Sequence, residues 1–486
     1  MEITLLIVYG LLLAFIFGYS LVQLSLVLAY RRSRRKAVTP DRVSYTTWPQ
    51  VTVQLPVYNE RYVVERLIDA VAQLDYPADR LEIQVLDDGN DASVELAAAR
   101  IVHWQANGVN IKHIRRPERT GYKAGALAYG TERATGAFIA VFDADFVPPA
   151  DFLKQTLPLF ANDRIGMVQT RWGHLNENYS VLTRLQAFGL NAHFTVEQVG
   201  RNALNHFINF NGTGGVWRKT CIVDAGGWQP DTLTEDLDLS YRAQMNGWKF
   251  VYTESLESPA ELPAEMNAVK SQQFRWTKGA AECAVKHLPT VLRRSDLSVS
   301  TRLHAFFHLM NSSVFVAILM AALLSVPVLW VRVHHSRFDL LFNLASLFLL
   351  SLVILVVFYR TASKQFGRGF GSFVRDFPLF LSVYMGLSLH NALAVAEGWS
   401  GRKSAFIRTP KFAITAKDGH FADKSYRAVR VDRLTLLELV LGFYFCAAVA
   451  YGAINLEFGL MPFHLMLAVG FLYVGIQSYR HAALKR

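Results

Sequence analysis

The sequence predicts an α/β fold: a doubly wound, mostly parallel sheet in a soluble domain, inserted between one N-terminal and four C-terminal transmembrane helices plus interfacial helices. Two observations carry this. Across 45–255, short β-branched runs alternate with helical stretches, the rhythm of βαβ units whose sheet is covered on both faces. Apolar runs at 3–30, 304–331, 338–359, 376–397, 433–455 and 460–479 each reach the roughly 20 residues a helix needs to cross a ~30 Å hydrocarbon core. Between 31 and 300 there is no such run, so the soluble domain sits there.

The chain has 486 residues, 52% of them hydrophobic, above the roughly 45–50% of soluble domains. The first segment, 1–30, opens Met1-Glu2 without basic residues, is too apolar and too long for a signal peptide, and is followed by Arg31-Arg32-Ser33-Arg34-Arg35-Lys36. It reads as an uncleaved transmembrane anchor. Positive charge in short flanks stays on the cytoplasmic side, which puts the N-terminus outside and the soluble domain in the cytosol.

Within that domain, 31–286, the expected strands are 51–57, 81–86, 111–114 and 137–142, with helices over 64–74, 92–105 and 123–134. Ligands of such sheets sit at the carboxyl ends of the strands. Two of those ends carry paired acids, Asp87-Asp88-Gly89 and Asp143-Ala144-Asp145. An interfacial segment, 287–302, and two transmembrane helices, 303–359, follow.

The run at 376–397 is the weakest crosser, interrupted by Asp376, Ser382, Ser388, His390, Asn391 and Glu397. Were it to cross, the basic segment holding Arg402, Lys403, Arg408, Lys411, Lys417, Lys424, Arg427, Arg430 and Arg433 would face outside, against the charge rule. Residues 360–397 are therefore expected to hold an interfacial helix, with 398–432 cytosolic, two transmembrane helices in 433–480, and a cytosolic tail, 481–486, carrying His481, Lys485 and Arg486.

A net charge of +11 fits membrane-flanking Lys and Arg beside anionic headgroups. No nucleic-acid motif accompanies it, and no nucleic-acid partner is expected. Cys221, Cys283 and Cys446 are far apart and form no Cys-x-x-Cys pair, so neither a disulfide framework nor a zinc site is supported.

Two carboxylates one residue apart at a strand end, Asp143 and Asp145, suit a hard divalent cation that neutralises a diphosphate; a solvated turn is the plainer alternative. Thr234-Glu235-Asp236 stands at a helix start, where the acids favour the positive end of the dipole or, alternatively, deprotonate an acceptor hydroxyl. Gln272-Gln273-Phe274-Arg275-Trp276 reads either as an interfacial anchor or as a guanidinium on departing phosphates beside an indole platform for a sugar.

Taken in order, Asp87-Asp88, Asp143-x-Asp145, Thr234-Glu235-Asp236 and Gln272-x-x-Arg275-Trp276, with membrane segments directly after, resemble the processive family 2 glycosyltransferases, the cellulose, chitin and hyaluronan synthases. Further matches are Pro56-Val57-Tyr58-Asn59-Glu60, the segment from Gly121 to Leu127, Val168-Gln169-Thr170-Arg171-Trp172, and the segment from Phe210 to Arg218. The last two, with the doubled Gln272-Gln273, look most like the cellulose-synthase-like A and C families, which make mannan and glucan backbones. The likeness spans roughly 30–480.

That resemblance implies a GT-A type mixed sheet. It implies nucleotide-sugar contacts at Pro56, Tyr58, Glu60, Asp87, Asp88, Lys123 and Asp143, and Mg²⁺ or Mn²⁺ on Asp143 and Asp145. Asp236 would be the general base, with Glu235, Gln272, Arg275 and Trp276 completing the catalytic set. The acceptor would meet Trp172, Gly212, Thr213 and Trp276. The segment from Phe406 to Lys411 resembles a gating loop that closes on the nucleotide through Thr409 and Lys411, with Arg408 where that motif usually has Val. A regulatory cyclic-dinucleotide domain of the bacterial cellulose synthases is absent from this sequence, so activation by that messenger is not expected.

The function so implied is an inverting transfer of a hexose from UDP-glucose or GDP-mannose to a growing β-glycan, processive and coupled to translocation across a plasma or inner membrane, or the Golgi membrane in a eukaryote. The expected partners are the donor, a glycan acceptor, membrane lipid and an export partner. A single-addition glycolipid synthase acting on ceramide or diacylglycerol, a dolichol-phosphate sugar synthase and a non-catalytic nucleotide-sugar-binding membrane protein are the alternatives.

Overall fold

The computed structural model describes residues 2–36, 41–335, 338, 342, 346–404, 406–415, 421, 424–426 and 432–484. Lys417, Arg427, Arg430, Lys485 and Arg486 of the basic segments lie outside the described residues. Seven strands form one sheet: β1 Val51–Val57, β2 Leu81–Asp87, β3 Ile111–Ile114, β4 Phe138–Val141, β5 Ile165–His174, β6 Gly215–Arg218 and β7 Lys249–Ala260. Their order is β3-β2-β1-β4-β6-β5-β7. The first four pair in parallel, as the βαβ rhythm predicts; β6 runs antiparallel to β4 and β5, and β7 runs parallel to β5. The sheet is therefore mixed.

Both faces are covered. Helices Val64–Ala72 and Ser93–Ala106 pack on one side of β1 and β2 through Val64, Leu67, Ile68, Ala97 and Ile101. On the other side, Trp217 and Phe210 sit beneath helix Glu235–Met245 with Leu239 and Ala243. The chain leaves β1 toward β2 on one flank and β4 adds on the other, so the carboxyl ends of β1 and β4 open a crevice where the winding reverses.

Among the described residues, five helices are long and apolar enough to cross a membrane: Glu2–Lys36, Ser313–His334, Leu347–Gln365, Arg433–Ile454 and Met461–Ala483. They coincide in position with five of the six apolar runs read from the sequence. A further pair, Phe370–Gly386 and Ser388–Trp399, is bent by 49°. Both of its ends touch the soluble domain. Near its start Asp376, almost fully buried, accepts from Arg184 Nε at 3.2 Å; near its finish Glu397 accepts from Lys278 Nζ at 2.9 Å.

Helix Phe370–Gly386 lies backbone to backbone on Met461–Ala483. A Cβ at Gly470 would fall 1.8 Å from the Ser382 carbonyl oxygen, and one at Gly386 would fall 2.3 Å from that of Gly470. No other residue fits there.

The long helix Met266–Arg293 joins the two parts. Its Lys270, buried, donates to Glu438 Oε2 at 2.9 Å, with Thr435 and Ser478 beside it. The first spanning helix docks on the domain too, through Tyr30 Oη to Glu254 Oε1 at 3.2 Å.

Candidate active site

A cavity at the β1 and β4 ends is lined by Pro56, Tyr58, Glu60, Asp88, Lys123, Asp143, Asp145, Trp172, Gly212, Glu235, Asp236, Gln272, Arg275, Trp276, Thr409 and Lys411. Nine separate stretches of the chain converge there. Of the residues singled out in the sequence, Asp87 and Thr213 are not among the lining. Asp87 is buried, bonded to His113 Nε2 at 2.8 Å and accepting from the Gly89 amide at 2.8 Å. Thr213 is fully buried, and its hydroxyl accepts from the Asp143 amide at 2.9 Å, so it holds the acid from beneath.

Asp143 and Asp145 follow β4, and each faces an ammonium: Lys123 Nζ is 2.5 Å from Asp143 Oδ1 and Lys411 Nζ is 2.6 Å from Asp145 Oδ2. Two carboxylates one residue apart are hard-oxygen donors, the set that suits Mg²⁺ or Mn²⁺. Among the described residues no cluster of three or more metal-ligating side chains occurs. Such a pair matches a cation that takes one or two carboxylates and completes its shell with phosphates and water.

Asp236 is the second residue of helix Glu235–Met245. Burial, then the neighbouring Glu235 carboxylate, raises its pKa above the ordinary carboxylate range. A base must be unprotonated yet basic, and this environment supplies the basicity. Gly212 faces it: with φ of +79°, a Cβ there would stand 3.2 Å from Asp236 Oδ2 and 3.4 Å from Lys123 Nζ. Glycine answers both the positive φ and the lack of room.

Two residues further along the same helix, fully buried Asp238 accepts from Arg242 Nη2 at 2.7 Å and bonds His287 Nε2 at 2.7 Å. His287 belongs to helix Met266–Arg293, which also carries Gln272, Arg275 and Trp276. The helix of Asp236 and the helix of Arg275 are thereby tied together.

Trp172, from β5, packs edge-on against Phe146 at 5.4 Å and lies 6.4 Å from Trp276. The two indoles make an apolar wall. His174 lies beside them; burial lowers its pKa to about 4, so its imidazole is neutral and bonds Asn191 Oδ1 at 3.2 Å.

The segment from Phe406 to Lys411 lies across the mouth. Arg275 Nη2 donates to Thr409 Oγ1 at 2.8 Å, and Arg408 pairs with Glu60 at 2.7 Å. Burial pushes the Glu60 carboxyl up to about 7. With the segment in place the cavity measures about 180 Å³, below the roughly 300–1,000 Å³ of ligand pockets.

Sequence reasoning missed Arg116, which forms a two-point bond to Asp88 at 2.9 and 2.6 Å, and Arg119, whose guanidinium lies 3.4 Å above the Tyr58 ring. The only available signal was the basic run Arg115-Arg116-Pro117-Glu118-Arg119 ahead of a helix.

Residues 49–279 match the family model described as glycosyltransferase like family 2. The chain is 34% identical over 439 residues to glucomannan 4-beta-mannosyltransferase 7 of Arabidopsis thaliana, spanning 88% of this chain and 76% of that one. It is 34% identical over 447 residues to glucomannan 4-beta-mannosyltransferase 9 of the same plant, spanning 88% and 80%. Among solved structures, a mannosyltransferase from Pyrobaculum calidifontis in complex with GDP-Man and Mn²⁺ shares the fold at a TM-score of 0.56 and 18% identity, over 82% of this chain and 100% of that one.

Proposed function

The chain belongs to glycosyltransferase family 2, in the family of the glucomannan 4-beta-mannosyltransferases, and from that premise we propose that it transfers mannose from GDP-mannose to the end of a growing β-glycan. That it is a membrane-associated glycosyltransferase acting on a nucleotide sugar follows from the family and its spanning helices; the sugar, the residue roles and processivity are the proposal. The observation that carries it is the meeting of Asp236, Lys123 and the Asp143/Asp145 pair in one cavity walled by Trp172 and Trp276.

Asp236 takes the proton from the acceptor hydroxyl as that oxygen attacks the anomeric carbon of an α-linked donor. The bond to the diphosphate breaks on the opposite face, and inversion yields a β-linkage. Lys123 holds Asp143 in place. Arg275, one side of the mouth, faces the negative charge that develops on the leaving group. The indoles of Trp172 and Trp276 form the platform for the acceptor sugar. Asp143 and Asp145 would hold Mg²⁺ or Mn²⁺, which when bound supplies charge neutralisation at the diphosphate.

The contacts of Asp376 and Glu397 with one soluble domain support a bent helix pair that does not cross. With the basic cluster after the first helix, this leaves five crossings and a cytosolic catalytic domain. The reading is tested by giving purified protein in lipid GDP-mannose or UDP-glucose with Mn²⁺, then following nucleotide release and sizing the labelled product. A β-linked polymer is expected from GDP-mannose; a single sugar on lipid would overturn the polymer.

A further inference from the structure

Five planar groups are stacked across the mouth of the cavity. Tyr58, just past β1, carries the Arg119 guanidinium at 3.4 Å; the same guanidinium lies 4.9 Å from the Tyr122 ring. Tyr122 stacks on Phe406 at 5.7 Å and 25°, and Phe406 carries Arg275 at 4.5 Å. Arg119 is unlike its neighbours: Arg115 is spent on the Gly89 carbonyl and Arg116 on Asp88. Among the described residues Arg119 forms no ion pair, and its Nε is buried without an acceptor. What holds it is the aromatic face below it.

We propose that Arg119 occupies the nucleobase position in the donor-free protein and becomes one jaw of a base clamp: the base enters between the Tyr58 ring and the guanidinium. This rests on the cavity being the nucleotide-sugar site. A diphosphate near Asp143 and Asp145 places its nucleoside toward the β1 and β2 ends, where Tyr58 and Asp88 line the cavity. Asp88 is already neutralised by Arg116, so it offers a weak hold on the base edge. The stacking face is what remains, and it exchanges one planar partner for two. Because Arg119 also touches Tyr122, which stacks on Phe406, lifting the guanidinium by one ring thickness bears on the loop that covers the site.

The test uses the full chain in detergent and three probes: GDP and UDP, titrated calorimetrically, and inorganic pyrophosphate, which has phosphates but no base, as an inhibitor of transfer. With Arg119→Ala, the preferred nucleoside diphosphate is expected to bind about tenfold more weakly, the worth of one stacked base, while pyrophosphate inhibits as before. Arg119→Lys, keeping the charge and losing the plane, recovers only part. Unchanged nucleotide binding in Arg119→Ala overturns the clamp. Equal weakening of nucleotide and pyrophosphate overturns it too, by making Arg119 a phosphate ligand. A native protein that binds neither GDP nor UDP overturns the donor-site reading and the clamp with it.

Discussion

Lys411 Nζ stands 2.6 Å from Asp145 Oδ2, so a residue of the covering loop is the counter-charge of an acid proposed to bind metal. One ammonium and one divalent cation compete for that oxygen. With Lys411→Met, Mn²⁺ added without nucleotide is expected to bind severalfold tighter, measured by electron paramagnetic resonance of the free ion. Transfer is expected to fall at least about tenfold in kcat/KM, since a charge-assisted bond contributes about 1.5–3 kcal/mol. Unchanged Mn²⁺ affinity would remove the competition.

Asp236→Asn keeps the shape of the side chain and removes the basic oxygen. Transfer should drop by about 10²–10⁴-fold, while binding of GDP stays within about twofold, because the proposed nucleotide contacts lie around Tyr58 and Asp88. Retained turnover would take Asp236 out of the base role.

The pH profile follows from the same residue. Burial and Glu235 raise the Asp236 pKa in the folded protein, and only the carboxylate accepts a proton. Activity is therefore expected above the raised pKa and should be lost as pH falls through it, well before the roughly 3.9 of an ordinary Asp. Glu235→Gln removes the neighbouring negative charge, so the acid limb of kcat/KM is expected to move to lower pH. A limb that stays put would assign it to another group, such as Glu60.

Much of this site is legible in the sequence because acids and glycines at strand ends are local signals. Strands β1 to β4 are legible for a related reason: each is a short β-branched run followed by its own helix. Strand β6, Gly215–Arg218, is four residues long and wedged antiparallel between β4 and β5. Strands β3 and β4 are just as short, but β6 lacks the βαβ rhythm that marks them in the sequence. Arg116 and Arg119 fall outside any period as well; their partners Asp88 and Tyr58 come from other strand ends, so only the folded chain brings them together. The ties of Asp376 and Glu397 to Arg184 and Lys278 are equally long in range, so polar interruptions and flanking charge led only to the expectation of a single interfacial helix there.

That topology has a direct check at Arg402, whose side chain is 74% exposed just after the bent pair. In a functional protein carrying Arg402→Cys, in sealed oriented vesicles, a membrane-impermeant maleimide should label that position only from the face that holds the catalytic domain. Labelling from the opposite face would make the pair 370–399 a sixth crossing.

The pair Lys270 and Glu438 separates stability from chemistry. Lys270 lies on the helix that carries Arg275, Glu438 on a spanning helix, and their side chains are 5% and 0% exposed at 2.8 Å. Removing one partner strands a buried charge, so Glu438→Ala is expected to cost about 3–5 kcal/mol, seen as a lower unfolding temperature in detergent. Replacing both by apolar groups of similar volume, Lys270→Met with Glu438→Leu, leaves no charge to strand and should recover most of that loss. If the pair also sets the height of the Arg275 helix at the membrane, the recovered double variant will still transfer slowly. Full activity in the stable double variant would show that the ion pair only holds the helices together, and that apolar packing alone places Arg275 and Trp276.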